Sequence, residues 1–433
     1  MTNMGDVQVK EAVLITPSQP TPSHVLKLSS IDSQLFLRFT IEYLLIYRPN
    51  RAVERTGTIA RVKDAIARAL VPYYPLSGRV RTRPDGSSLE VVCQGQGAVF
   101  IESIGEFNVS DFERAPRFVT EWRKLLALEV TDVLNGAPPL VVQLTWLSDG
   151  SVGLGIGFSH CVCDGIGSVE FLKHFADLAT GRDFKPKPIW ERHFLDPKPY
   201  RLQMGQHPEF NRVTDHCKFM TCFNSEKLIP TSTTFHERRL NELKSLAACT
   251  SQLSKTSITS FEVLSAHIWR TWARAINFPP QQIVKLLFSI NIRNRVKPSL
   301  PTGYYGNAIV LGCAQTTAKE LTENGLGYAT ELIREAKCRV DDGFVREVVE
   351  LVSLNRASQV PDSVGVLILS QWSKVGLENV DFGLGRPVQV SPVCTDRYCI
   401  LLPVQDLSRS VKSMLALPSL AVDKYEHLIR ADD

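Results

Sequence analysis

His160 and Asp164 stand four positions apart in Ser159-His160-Cys161-Val162-Cys163-Asp164-Gly165, and their types suit proton transfer. An imidazole, with an ordinary pKa of about 6.5, abstracts protons near neutrality, and a nearby carboxylate can orient the ring or steady the backbone. Residue types alone leave a second reading open, because a His beside an Asp is more often a surface pair or a satisfied core pair. The flanking elements are more informative. An apolar run, Leu140 to Leu147, meets the turn signal Asp149-Gly150, and Val152 to Phe158 follows, which predicts a β-hairpin whose return strand ends at His160. Asp164-Gly165-Ile166-Gly167 then breaks the pattern. Leu172, Phe175, Ala176 and Ala179 recur at helical spacing until Gly181 offers a C-cap. Strand, polar elbow and helix are the predicted order, with the histidine where the strand stops.

The segment His160 to Gly165 resembles the HxxxDG signature of the plant BAHD acyltransferases, enzymes dependent on coenzyme A. Asp381-Phe382-Gly383-Leu384-Gly385 resembles the family's DFGWG, with Leu384 where the pattern has Trp. Tyr73 to Arg79, Ser260 to Ala266, Asn291-Ile292-Arg293 and Gly303 to Asn307 are similar to further family stretches and stand in the same order, so the resemblance covers nearly the whole chain. It implies a mixed α/β fold of two chloramphenicol-acetyltransferase-like domains with an active-site channel between them. Residues 1–184 would carry the first signature, 185–225 would be a crossover linker, and 226–433 would carry the second. His160 would be the general base, and Asp164 would point away from the cleft in an ion pair with Arg293. By residue type Ser370 and Trp372 read as strand-end polarity and a core aromatic. The resemblance instead sets Ser370 against the oxyanion and Trp372 on the pocket wall, and it gives Asp381, Gly383 and Gly385 to structure and the cofactor side.

The activity so implied is O-acylation of an alcohol or phenol by an acyl-coenzyme A donor carrying a hydroxycinnamoyl, benzoyl or aliphatic group. Acyl-coenzyme A would be a co-substrate, with no cofactor permanently bound, and the protein a monomer. N-acylation of an amine or polyamine, and a non-catalytic role beside lipid elongation, are the alternatives within the family. A hydrolase is disfavoured because no G-x-S-x-G elbow occurs, and no P-loop, HExxH or Rossmann fingerprint is present either.

Composition agrees with a globular enzyme. A chain of 433 residues is long for one core, which favours two domains. A net charge of +4, with no run of five like charges, argues against nucleic acid or a membrane surface as partner. Ten cysteines without C-x2-C spacing predict reduced thiols and no zinc site. The opening residues offer no secretory signal and no apolar stretch reaches the roughly 20 residues of a membrane span, so a cytoplasmic location is expected.

Elsewhere the pattern predicts a helix capped by Thr58 with Ile59, Val62, Ile66 and Leu70 on one face, and strand over Leu89 to Phe100. Prolines between Phe184 and Pro199 suggest an extended linker, with Arg192 and Arg201 on a solvated edge. Thr259-x-x-Glu262 has the form of a capping box opening a helix that buries Val263, Ala266, Ile268, Trp269 and Trp272. Strands are expected over Ile283 to Ile290, Ala308 to Cys313 and Val364 to Leu369, and helices over Tyr328 to Arg339 and Val345 to Leu354.

Overall fold

The computed structural model describes residues 7–431 apart from 51–52, 85, 87, 117, 119–120, 127, 129–132, 183–185, 199–204, 217–226, 252–254, 355–363, 393–397, 406 and 408. Phe184, Lys185, Pro199 and Arg201 of the predicted linker lie outside the described residues, as do Cys217, Cys222 and Cys394.

The first half supplies strands β1 (Val7–Ile15), β2 (His24–Lys27), β3 (Thr40–Tyr47), β4 (Arg79–Thr82), β5 (Leu89–Cys93), β6 (Ala98–Gly105), β7 (Leu140–Leu147) and β8 (Val152–Ser159), with helices α1 (Arg55–Ala69) and α2 (Gly165–Ala179). The second half adds β9 (Leu228–Phe235), β10 (Ile283–Asn291), β11 (Ile309–Thr317), β12 (Val366–Gln371), β13 (Gln389–Pro392), β14 (Tyr398–Pro403) and β15 (Val411–Pro418). Its helices are α3 (Glu237–Cys249), α4 (Ser260–Ile276), α5 (Ala318–Glu323), α6 (Leu326–Arg339), α7 (Asp342–Ser353) and α8 (Ser419–Arg430).

Two six-stranded sheets result, ordered β1-β6-β7-β8-β3-β13 and β11-β10-β12-β14-β15-β9, and β2-β5-β4 form a small third one. The predicted hairpin is β7 and β8, paired antiparallel from Leu140–Phe158 to Trp146–Val152. Every residue of β8 is buried, and β3 covers its other edge with Thr40 opposite Ser159. Close approach explains two glycines of this strand: a Cβ on Gly155 would stand 2.2 Å from the carbonyl oxygen of Leu125, and one on Gly157 2.9 Å from Thr40.

Each large sheet has its own apolar core. The first gathers α1 and α2 through Val62, Ile66, Phe171 and Phe175, and the second surrounds Trp269 of α4 with Val284, Leu286 and Ile333. The capping box forms as the sequence predicts, with Thr259 and Glu262 each accepting the other's backbone N–H. The cap of α1 is different: Glu54, not Thr58, accepts the N–H groups of Thr56 and Gly57, because Thr58 lies inside the first turn and is buried. The strand expected over Leu89 to Phe100 is two strands, β5 and β6, broken at Gly95 and Gly97, which both hold positive φ.

The halves are interlocked. After β12 the chain leaves the second sheet, and Leu377, Val380, Phe382, Leu384 and Val390 enter the first core. β13 pairs antiparallel with β3, and the chain then returns as β14, parallel to β12. Leu44 and Ile46 of β3 pack against Ile400, Leu402 and Met414 in a third apolar cluster. This seam holds both sheets in fixed relation, and the elbow after β8 lies beside it.

Candidate active site

The elbow begins where β8 ends. The His160 N–H donates to the Phe39 carbonyl at 2.9 Å, and the His160 carbonyl accepts from Nδ2 of Asn307 at 2.6 Å. The imidazole meets the Phe39 ring edge-on at 5.1 Å, and Phe39 stacks at 5.9 Å on Tyr398, the first residue of β14. The histidine is therefore held through its backbone by Phe39 from the first half and Asn307 from the second. It is 9% exposed, and its Nδ1 is buried without a hydrogen-bond partner, so Nε2 is the nitrogen that solvent can reach. Burial pushes the imidazole pKa below its ordinary value; the elbow backbone, the Asp164 charge and the Asn307 side chain oppose that only in part. A neutral ring at physiological pH follows.

Asp164 does not face the imidazole. It caps α2, its Oδ1 accepting the N–H groups of Ile166 at 3.1 Å and Gly167 at 3.0 Å. Arg293, just past β10, donates Nη1 to Oδ2 at 2.7 Å and Nη2 to Oδ1 at 3.1 Å, and the Ala308 N–H reaches Oδ2 at 3.0 Å. Burial alone would raise this carboxyl; the Arg293 charge and the hydrogen bonds it accepts outweigh that and hold it below the usual carboxylate range. The elbow is thereby tied to the second half by a bidentate ion pair.

Ser370 is the penultimate residue of β12, and its Oγ accepts from Nε1 of Trp372 at 3.0 Å. The Trp372 ring lies 4.8 Å from Tyr43, whose hydroxyl meets Ser168 of α2 at 2.5 Å. This pair reaches the first half beside the elbow, and no hydrogen bond joins it to His160 among the described residues. Asp381, Gly383 and Gly385 sit elsewhere. Oδ1 of Asp381 accepts the N–H groups of Gly383 at 2.8 Å, Leu384 at 3.0 Å and Gly385 at 2.9 Å, and both glycines hold positive φ. Phe382 packs at 4.6 Å on Phe175, eleven residues or about 16 Å along α2 from the Asp164 cap. Leu384, in place of the pattern's Trp, is buried in the same core.

Three residues around the elbow carry more than the sequence signalled. Asp32 is fully buried, and its carboxylate takes donors from Ser29, Arg192 and Asn307. Asn307 links that carboxylate to the His160 carbonyl. Arg192, expected on a solvated linker edge, is 5% exposed and wholly engaged, because the segment after Lys187 turns inward: Ile189 bridges Tyr304. Its aromatic neighbours Trp190 and Phe194 were the available sign of burial. A cavity of about 680 Å³ is walled by Arg192, Trp190, Tyr74 and His24, and His160 is not among its lining residues. Among the described residues no group of three or more His, Cys, Asp or Glu could hold a metal, and no helix is long and apolar enough to cross a membrane.

Comparison with known proteins defines the class. A family model described as the Transferase family matches residues 5–431. The chain is 30% identical over 429 residues to omega-hydroxypalmitate O-feruloyl transferase of Arabidopsis thaliana, covering 97% of this chain and 92% of that one. It is 32% identical over 427 residues to taxadien-5-alpha-ol O-acetyltransferase of Taxus chinensis, with 95% and 93% covered. Among solved structures, vinorine synthase matches with a TM-score of 0.76 at 18% identity over 97% of this chain and 96% of that one. The complex of F. sporotrichioides TRI101 with coenzyme A and T-2 matches with a TM-score of 0.74 at 17% identity, over 94% and 97%. The architecture is thus the two-domain, chloramphenicol-acetyltransferase-like one. The chain belongs to the Transferase family, the plant BAHD acyltransferases, and is an acyl-coenzyme A-dependent O-acyltransferase.

Proposed function

We propose that His160 is the general base of this O-acyl transfer. Nε2 takes the proton of an acceptor hydroxyl, the oxygen attacks the thioester carbonyl, and the tetrahedral oxyanion collapses to ester with coenzyme A leaving as thiol. The observation that carries this is the state of His160: a buried imidazole with a lowered pKa, clamped backbone and one reachable nitrogen. A thioester is already activated, so the work is positioning, worth about 7 to 11 kcal/mol, and base catalysis, worth about 10²- to 10⁴-fold. Asp164 with Arg293 serves the geometry of the elbow rather than the proton. Ser370 accepts from Trp372, which leaves its own hydrogen for the oxyanion, a contribution of about 10²- to 10³-fold. Trp372 then walls the pocket, and the loop of Asp381, Gly383 and Gly385 supports the coenzyme A side through its packing on α2.

The relatives' names point to the substrate class: a feruloyl transfer to a hydroxy fatty acid, an acetyl transfer to a diterpenol and a benzoyl transfer to a hydroxytaxane. Our reading is a hydroxycinnamoyl, benzoyl or aliphatic donor and a specialised-metabolite alcohol or phenol, handled by a cytoplasmic monomer that holds acyl-coenzyme A only as co-substrate. The test is release of free thiol from a panel of acyl-coenzyme A donors with alcohol, phenol and amine acceptors. Release that needs an alcohol or phenol is expected. Release with amines alone would replace it by N-acylation, and silence from folded protein across the panel would favour a non-catalytic partner.

A further inference from the structure

The His160 elbow is held on one side by Asp164 and Arg293, and a second buried ion pair meets it on the other. Nε of Arg192 donates to Oδ2 of Asp32 at 2.8 Å, with the two side chains 4% and 0% exposed. The remaining nitrogens are committed as well: Nη1 donates to the Tyr305 carbonyl, and Nη2 donates to the Val162 carbonyl at 3.1 Å. The guanidinium also lies 5.5 Å from the Trp190 ring and 5.7 Å from the Tyr304 ring. The other oxygen of Asp32, Oδ1, accepts both the backbone N–H and Nδ2 of Asn307 at 2.9 Å, and Nδ2 also donates to the His160 carbonyl at 2.6 Å. Two elbow carbonyls, those of residues 160 and 162, are therefore gripped by donors that Asp32 aligns. One donor comes from the crossing segment and one from the second half.

We propose that Arg192, through Asp32, is a positioning residue for acyl transfer: it fixes the backbone of residues 160–162 and so the direction of the His160 imidazole. This rests on His160 being the base. Only a planar fork can reach a carboxylate and two carbonyls in three directions at once, so lysine, with a single nitrogen, cannot replace it. The ring it steadies must lie within a fraction of an ångström of its working place, since misplacement by about 1 Å costs about 10²-fold in rate.

The test uses the full chain with Arg192→Lys and Arg192→Ala. The lysine variant keeps the charge beside the buried Asp32 carboxylate and is the one expected to fold; the alanine variant strands that carboxylate. Circular dichroism and thermal unfolding establish the folded fraction. For folded Arg192→Lys, kcat falls by about 10- to 100-fold while KM for donor and acceptor changes by less than about threefold. Its kcat/KM profile also moves its acidic limb upward, because a loosened elbow lets water back to the imidazole. Arg192 walls the 680 Å³ cavity, so methylguanidinium at millimolar concentration has a route to the vacated place and restores part of the kcat of Arg192→Ala. Wild-type kcat in folded Arg192→Lys would overturn the proposal, as would a fall matched by lost folded protein with the pH profile unmoved. A His160→Ala variant run alongside separates the two ideas. If it turns over normally the base assignment fails, whereas an inactive His160→Ala beside a fully active Arg192→Lys removes the positioning role alone.

Discussion

Replacing Asp164 tests the architecture of the elbow without touching the reacting nitrogen. Asp164→Ala removes an N-cap, costing about 1 kcal/mol. It also strands Arg293, whose side chain is 16% exposed, and breaking a largely buried pair costs about 3 to 5 kcal/mol. The expected total is about 4 to 6 kcal/mol, a large share of the 5 to about 15 kcal/mol by which proteins are stable. Asp164→Asn caps α2 nearly as well, so it is predicted to be more stable than the alanine variant by about 1 kcal/mol. Removing the stranded cation as well, in Asp164→Asn with Arg293→Met, recovers a coupling energy of about 2 to 3 kcal/mol. Denaturant unfolding followed by tryptophan fluorescence measures wild type, Asp164→Ala, Asp164→Asn, Arg293→Met and the double variant, and the last three close the cycle with wild type. The sign with pH is defined: the Asp164 carboxyl is held below its ordinary value of about 3.9, so its contribution is present above that value and is lost as pH falls through the lower, folded one. The gap between wild type and Asp164→Asn therefore persists at neutral pH and closes in acid. An Asp164→Ala protein as stable as wild type, or strictly additive costs in the double variant, would mean that the Asp164–Arg293 pair does not hold the elbow.

The lowered pKa of His160 puts the acidic limb of kcat/KM below pH of about 6.5, and a limb above that value would mean a different titrating group. Burial pushes the Cys161 thiol up to about 12, so iodoacetamide modifies exposed Cys249 and Cys338 well before Cys161 in the native protein; mass spectrometry reads the order, and early loss of Cys161 would contradict its packing. Asp381→Ala frees three backbone N–H groups and lowers the unfolding free energy by about 1 to 3 kcal/mol, while an unchanged unfolding midpoint would show that the carboxylate does not hold its loop.

How much of this could be read beforehand depended on the range of the forces involved. The β7–β8 hairpin was legible because alternation, an Asp-Gly turn and a terminal polar residue are all local, and so was the Thr259 capping box. The first turn of α1 was misassigned because Glu is not a usual N-cap type: Thr58 drew the assignment, whereas Glu54 accepts the first N–H groups and Thr58 lies buried inside the turn. The return of β13 to the first sheet had no signal, since four residues of strand look alike whichever sheet receives them. Arg192 was the largest gap. Proline-rich surroundings suggest an exposed path, whereas its burial depends on Asp32, 160 positions away in the chain. Aromatic residues on both sides of a lone arginine were a usable hint, and one sequence does not supply the partner.

Turnover of His160→Ala, followed by thiol release with a donor and acceptor pair that the wild type accepts, tests the central claim most directly. A folded protein with wild-type unfolding behaviour and kcat lower by about 10²- to 10⁴-fold is expected. Normal turnover from that folded variant would contradict the claim, because some other group would then have to take the hydroxyl proton from the acceptor.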